Sequence, residues 1–266
     1  MFLRKLSANR IAIVGLLVLG CALPVTVSQS AQSQSPSVSS VLPSQWTFNP
    51  PDRGIPGNRE GGATRGCIQL TALVPDGGVA TAMSYPTLMW HVSKANRDSD
   101  IELQVSLMDE NEQEVYTTQY ALDRTNNGEY ISGIVRFDPP TQAGVIPLEA
   151  EKQYSWEVAP VCNGEVWSPS SVYGAIHIQS PNPDLMEKVK LATPQQRVAL
   201  YAKAGLWPET LNSLSELDSL APDDPQLNPE LQEAWLKLLN SVGLNRIARQ
   251  LDEIYQANLI RSATNQ

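Results

Sequence analysis

The sequence predicts β structure followed by α structure in one chain, and three observations carry that reading. From Ile68 to Gln179 apolar and polar residues alternate, the period of strands buried on one face. After Pro181 the apolar spacing changes to that of helices with one buried stripe. Clusters of Pro, Gly, Asn and Asp separate the periodic runs where turns are needed. The expected organisation is a segment 1–31 with export features, a Ser/Gln/Pro linker over 32–52, a β-sandwich over 53–180, a helical region over 181–260 and a tail over 261–266.

The first residues carry Arg4, Lys5 and Arg10 and no acid, and an apolar run from Ile11 to Val18 continues loosely to Val27. A basic flank followed by a short apolar core reads as a secretory signal rather than a spanning helix. Two processing routes fit. Val18-Leu19-Gly20-Cys21 resembles a lipobox, with Cys21 as the lipidated residue, and ordinary cleavage near Ser28 or Ala31 is the alternative. Residues 1–31 contain three basic and no acidic side chains, so their removal takes the formal charge from −9 to −12. A chain this acidic repels nucleic acid and anionic lipid surfaces. Elsewhere no apolar run reaches spanning length. The linker is compositionally flexible, with Trp46 and Phe48 as anchors at its end.

Residues 53–67, RGIPGNREGGATRGC, are unlike anything else in the chain. Arg53, Arg59 and Arg65 recur every six residues among glycines that permit close backbone approach. Three guanidinium groups beside turn-forming glycines fit an anion or carboxylate site. The other reading is an irregular segment lying over the domain, its arginines paired with the surplus acids. No Gly-Lys-Ser/Thr follows, so this is not a phosphate-binding P-loop.

The β region reads as about seven strands. Leu88, Trp90 and Val92 alternate after Pro86. Ile101, Leu103, Val105 and Leu107 alternate with Glu102, Gln104 and Ser106, and the polar run Asp109–Glu114 turns the chain into Val115–Leu122. Ile131–Phe137 adds another strand. Tyr154, Trp156 and Val158 share one face, as do Val172, Ile176 and Ile178. Leu148, six residues before Tyr154, resembles the tyrosine corner of immunoglobulin/fibronectin-like antiparallel sandwiches, with Trp90 as a core tryptophan. Cys67 and Cys162 remain once Cys21 is assigned to the signal region, which suggests one disulfide in an exported chain. Such a bridge would stabilise by up to about 4 kcal/mol in the chain-entropy model.

In the helical region Thr193 is the expected N-cap and Pro194 the first helical residue. Gly205 ends that helix, and Leu206-Trp207-Pro208 starts the next, with Leu211, Leu214 and Leu217 on its stripe. The run 221–225 breaks the chain. A further helix is expected from Pro229 to Val242, then one from Leu244 to about Asn258. An internal repeat at an offset of 38 pairs Val198 with Leu236, Leu200 with Leu238, Tyr201 with Leu239, Ala204 with Val242, Gly205 with Gly243 and Leu206 with Leu244. Two helical hairpins of this kind are similar to a short tetratricopeptide-like domain, though those repeats usually span about 34 residues.

Few residues of the chain fit a catalytic or metal-binding pattern. His91 lies between Trp90 and Val92, and His177 between Ile176 and Ile178, so both are expected on the wet sheet face rather than as metal ligands. No nucleophile elbow, zinc-protease helix or dinucleotide fingerprint occurs. Asn96, Asp98, Asp100 and Glu102 start like a calcium loop, but Ile101 and Leu107 stand where its glycine and twelfth-position acid belong.

The order of several motifs resembles one known family. Gly54-x-Pro56-Gly57-x-Arg59-x-Gly61-Gly62-x-Thr64-Arg65-Gly66-Cys67 leads into Leu70-Thr71-Ala72-Leu73-Val74-Pro75. Tyr85-Pro86-Thr87-x-x-Trp90, Tyr154-x-Trp156, Val161-Cys162, Tyr201-Ala202-x-Ala204-Gly205-Leu206-Trp207 and Leu238-Leu239-x-Ser241-Val242-Gly243-Leu244 follow. The pattern is similar to the exported cyanobacterial family catalogued as Domain of Unknown Function 928. That resemblance implies an exported cyanobacterial protein and assigns no catalytic residue or cofactor. The expected function is a non-enzymatic module that binds a protein or peptide in the periplasm or envelope. The alternatives are an envelope hydrolase whose site forms only in the fold, and a small-anion or glycan binder using Arg53, Arg59 and Arg65.

Overall fold

The computed structural model describes residues 47–48, 57–61, 66–93, 95–96, 98–130, 132–139, 141, 147–220 and 227–264, all within one compact unit. The expected signal segment, Cys21, Trp46, Arg53, Arg65 and the break at 221–225 lie outside the described residues, as does most of the linker.

Nine strands are followed by five helices among these residues. The smaller sheet has the order β1 (Gln69–Ala72), β3 (Leu88–Ser93), β6 (Gly133–Phe137). The larger has the order β2 (Val79–Thr81), β9 (Val172–Ile178), β7 (Gln153–Cys162), β4 (Ile101–Met108), β5 (Glu114–Ala121), with β8 (Glu165–Val166) beside β7. The expected purely antiparallel pattern is corrected at one place: β2 runs parallel to β9, Val79 opposite Ile176. Three residues are too few for a period to show, and the partner strand lies almost a hundred residues further on. The larger sheet is therefore mixed, and the smaller one is antiparallel.

β4 behaves as its sequence demands. Ile101, Leu103, Val105 and Leu107 are buried and the residues between them are half-exposed. The following turn is fixed by Asp109, whose Oδ1 accepts from the Asn111 and Gln113 N–H groups at 2.8 and 2.9 Å. Local side-chain acceptance of this kind is why Asp opens turns. Tyr154, Trp156 and Val158 of β7 are buried on one face, and the Glu149 N–H donates to Tyr154 Oη at 3.0 Å. β6 begins at Gly133, later than the periodicity suggested. One apolar core runs through Trp90, Leu103, Trp156 and Ile176 of the sheets and on into Trp207, Leu214 and Leu238 of the helices.

The helices are α1 (Pro183–Leu191), α2 (Pro194–Ala204), α3 (Trp207–Leu220), α4 (Leu227–Ser241) and α5 (Asn245–Thr264). Thr193 caps α2 in a full capping box with Gln196, and Gly205 closes it in the left-handed conformation at φ 72°. The offset of 38 extends to the backbone. Leu206 N–H donates to Tyr201 O as Leu244 N–H does to Leu239 O, at 3.1 and 2.9 Å. Thr210 N–H donates to Leu206 O as Ala248 N–H does to Leu244 O. Gly243, at φ 79°, matches Gly205. α5 runs past Asn258 to Thr264.

The helices are joined to the sheets by polar as well as apolar contacts. The Trp207 indole N–H donates to Leu73 O at 2.6 Å, and its ring meets Phe48 edge-on at 4.7 Å. Phe48 is thus an anchor, as its sequence position suggested. Among the described residues no helix is long and apolar enough to cross a membrane.

Candidate functional site

The described part of the arginine-glycine stretch, residues 57–61, is laid between the two sheets. Asn58 bridges Tyr173 at the start of β9, and Glu60 bridges Thr71 of β1. Tyr173 N–H donates to Asn58 O at 3.0 Å, and the Asn58 side-chain amide donates to Ser171 O at 3.0 Å. The glycines are required by proximity. A Cβ at Gly57 would stand 2.3 Å from Tyr173 O, and one at Gly61 would stand 2.1 Å from Ser170 O. No side chain fits there. Immediately beyond, Cys67 is bonded to Cys162 with Cα atoms 6.2 Å apart, which ties the entry of β1 to the end of β7.

Arg59 is occupied by the protein itself. Its Nη1 donates to Val74 O at 3.2 Å and Val242 O at 2.7 Å, and its Nε meets Asp76 at 2.6 Å. Val242 follows α4, where carbonyls lack intrahelical donors. Asp76 is 79% exposed, so its ion pair is worth under about 1 kcal/mol. The charge-assisted bonds to two backbone carbonyls, about 1.5–3 kcal/mol each, dominate. Its neighbour Glu60 pairs with Arg246 of α5 at 3.2 Å, and Arg246 also donates to Thr71 Oγ1 at 2.9 Å. Of the three arginines expected to hold an anion, Arg59 therefore spends its donors internally; Arg53 and Arg65 lie outside the described residues.

The expectation for His91 is corrected. It is 3% exposed, and Arg246 of α5, which donates to Thr71 on the neighbouring strand, stands close enough for its charge to act on the ring. Burial first, and the Arg246 charge second, push its imidazole down to about 4. Its Nδ1 has no hydrogen-bond partner. His177 is half-buried on β9, in the other sheet. Among the described residues no group of three or more His, Cys, Asp or Glu side chains converges to hold a metal.

A groove of about 450 Å³ opens where the helices meet the edge of the larger sheet. α1 supplies Asp184, Leu185 and Lys188; α2 supplies Leu200, Lys203 and Ala204. Ala82 and Leu206 form its floor, and Gln179, Ser180 and Asn182 line its rim. The sequence builds this groove by leaving α1 thinly packed. Asn182 caps the helix, but none of its residues is fully buried, and Leu191 is 85% exposed. Behind the floor, Glu209 accepts from Thr81 Oγ1 at 2.9 Å and from the Ala82 N–H at 2.6 Å. Burial raises the Glu209 carboxyl above its ordinary value, against the hydrogen bonds that favour its charged form. Glu209 pins β2 to α3 and so fixes one side of the groove.

Lys188, Lys203, Asp184 and Glu209 were not singled out in the sequence. Lysines on amphipathic helices look like ordinary solvated faces. Glu209 carried one weak signal, an acid in the first turn of a helix otherwise buried over Leu206–Leu211.

Residues 56–251 match the family described as Domain of Unknown Function (DUF928). That span is well over half of the chain, and the chain belongs to this family. No curated protein matches it.

Proposed function

We propose that this member of the DUF928 family is an exported, non-enzymatic binding module that receives an extended peptide segment of a protein partner. The groove between α1, α2 and the β2 edge carries this reading. It pairs an apolar floor with polar rim groups, the composition that holds a peptide by its side chains and its backbone. Lys188 and Lys203 against Asp184 leave its lining one positive charge, on a chain whose net charge is −9. A peptide bearing carboxylates is the occupant that this local charge selects.

The finer architecture supports the same class of protein. We read the sheets as an immunoglobulin/fibronectin-like sandwich, on the strength of the Glu149–Tyr154 bond at the corner before β7. We read α2–α3 and α4–α5 as two tetratricopeptide-like hairpins, on the strength of the hydrogen bonds that recur at 38 residues. Arg4, Lys5, Arg10 and the apolar run after them support export, with the periplasm or another envelope compartment as the destination. The Cys67–Cys162 bridge suits an oxidising compartment.

The test is fluorescence anisotropy with a set of acidic, neutral and basic ten-residue peptides on the full chain and on a K188E/K203E variant. Acidic peptides are expected to bind the full chain best and the variant at least tenfold more weakly. Equal binding of acidic and basic peptides, or an unaffected variant, would refute the reading.

A further inference from the structure

The four outer edges of the sheets are treated differently. On one flank β1 is capped by the Glu60–Thr71 bridge and β2 by the Ala80–Leu206 bridge, so chain segments cover both. On the other flank β5 ends the larger sheet and β6 ends the smaller, and among the described residues neither pairs further out. These two edges are neighbours, with the Tyr116 and Phe137 rings 6.4 Å apart. Between them lies a cleft of about 230 Å³ lined by Tyr120, Leu122, Ile134 and Val135. Val115, Tyr116, Tyr120 and Ile134 are only partly buried.

An edge strand exposes a row of unpaired N–H and C=O groups, and proteins normally blunt such edges with lysine, proline, bulges or short length. β5 has eight residues, no proline, no basic residue, and one acid at its first position. Its β-branched and aromatic content, Val115, Tyr116, Thr117, Thr118 and Tyr120, favours pairing. Its one irregularity against β4 lies at the turn end, between Leu107 and Met108.

We infer that β5 is a self-interface: it pairs antiparallel with β5 of a second copy, with Thr118 on the twofold axis, and joins the two larger sheets into one. An isologous interface requires a strand complementary to its own reverse, and β5 is. With Thr118 opposite itself, Thr117 meets Gln119, Tyr116 meets Tyr120, and Val115 meets Ala121 of the second copy. Tyr116, Thr118 and Tyr120 are in register with Leu107, Val105 and Leu103 of β4, so both tyrosine pairs form on the core side of the joined sheet. Aromatic cross-strand pairs are among the stabilising ones. Placing Thr117 on the axis instead sets Glu114 against Tyr120 and Val115 against Gln119, which loses both aromatic pairs. The charge pattern agrees, because the sole charged residue of the strand, Glu114, falls outside the symmetric stretch.

The experiment is light scattering after size exclusion on the full chain, disulfide intact, from about 1 to 100 μM, a range over which mass action separates weak dimers from monomers. The mass is expected to double across that range. T118K, which sets two cations on the axis at a half-buried position, is expected to weaken the dimer at least tenfold, with the thermal transition of its monomer read alongside to separate this from a folding defect. Under mild oxidation T118C is expected to give a covalent dimer and T117C none, since diagonal partners lie too far apart to bridge. A chain that stays monomeric at the highest concentration overturns the inference, whether its own residues or another protein's cover the edge. So does a T118K dimer of unchanged strength, or crosslinking by T117C in place of T118C.

Discussion

Lowering the pH from 7 to 5 should cost the native state about 2 kcal/mol through His91 alone. This imidazole lies on β3 between Thr71 and Ile134 of the adjacent strands, with Arg246 beside it and Nδ1 unpartnered. Its native value of about 4 stands against 6.5 for the unfolded chain. Between those values the unfolded state binds the proton and the native state refuses it, so stability falls as pH falls. Integrating the difference gives about 2 kcal/mol lost by pH 5 and about 3 by pH 4. Urea denaturation at pH 7 and pH 5, compared between the natural chain and H91Q, isolates the term. Glu209 titrates with the opposite sign, because burial raises its carboxyl and the native state gains as it protonates. That contribution is common to both proteins and cancels in the comparison. If H91Q shows the same pH dependence as the natural chain to within about 0.5 kcal/mol, the burial argument for His91 is wrong.

Three further outcomes follow from the described contacts. G61A should cost on the order of 2 kcal/mol or prevent folding, because its Cβ would stand 2.1 Å from Ser170 O; a thermal shift within error of the natural chain would contradict the geometry. R59A should destabilise by about 3 kcal/mol or more through the loss of donors to Val74 O and Val242 O, and R59K should recover only part, since one ammonium does not reproduce the guanidinium fork. Chemical denaturation of both variants reads this. Reduction of Cys67–Cys162 should lower stability by up to about 4 kcal/mol, measured as the urea midpoint with and without dithiothreitol.

The elements with strong periods were legible from the residues alone. β4 alternates as written, and Thr193, Pro194 and Gly205 mark α2 because capping chemistry is local. What escaped was decided by distant partners. β2 exists because β9 and α3 flank it, and its three residues carry no pattern of their own. His91 alternates correctly with Trp90 and Val92, yet it is buried with Arg246 nearby, which no spacing within β3 announces. At the candidate site the glycines at 57 and 61 were visible, while the reason for them lay at residues 170–174. The groove lysines come from two helices whose meeting is a tertiary event.

The segment from Gly57 to Gly61 has a consequence for the order in which the chain folds. It is made early in synthesis, but its partners come late: Ser171 is 113 residues away and Val242 is 183. Thr71 likewise waits 175 residues for Arg246. Contacts of such sequence separation bear the full entropy of closing a long loop and slow folding accordingly. Residues 57–61 therefore have no stable resting place until α4 and α5 exist. A ribosome-bound chain would remain open at this segment, and completion of the C-terminal hairpin supplies the last of its partners.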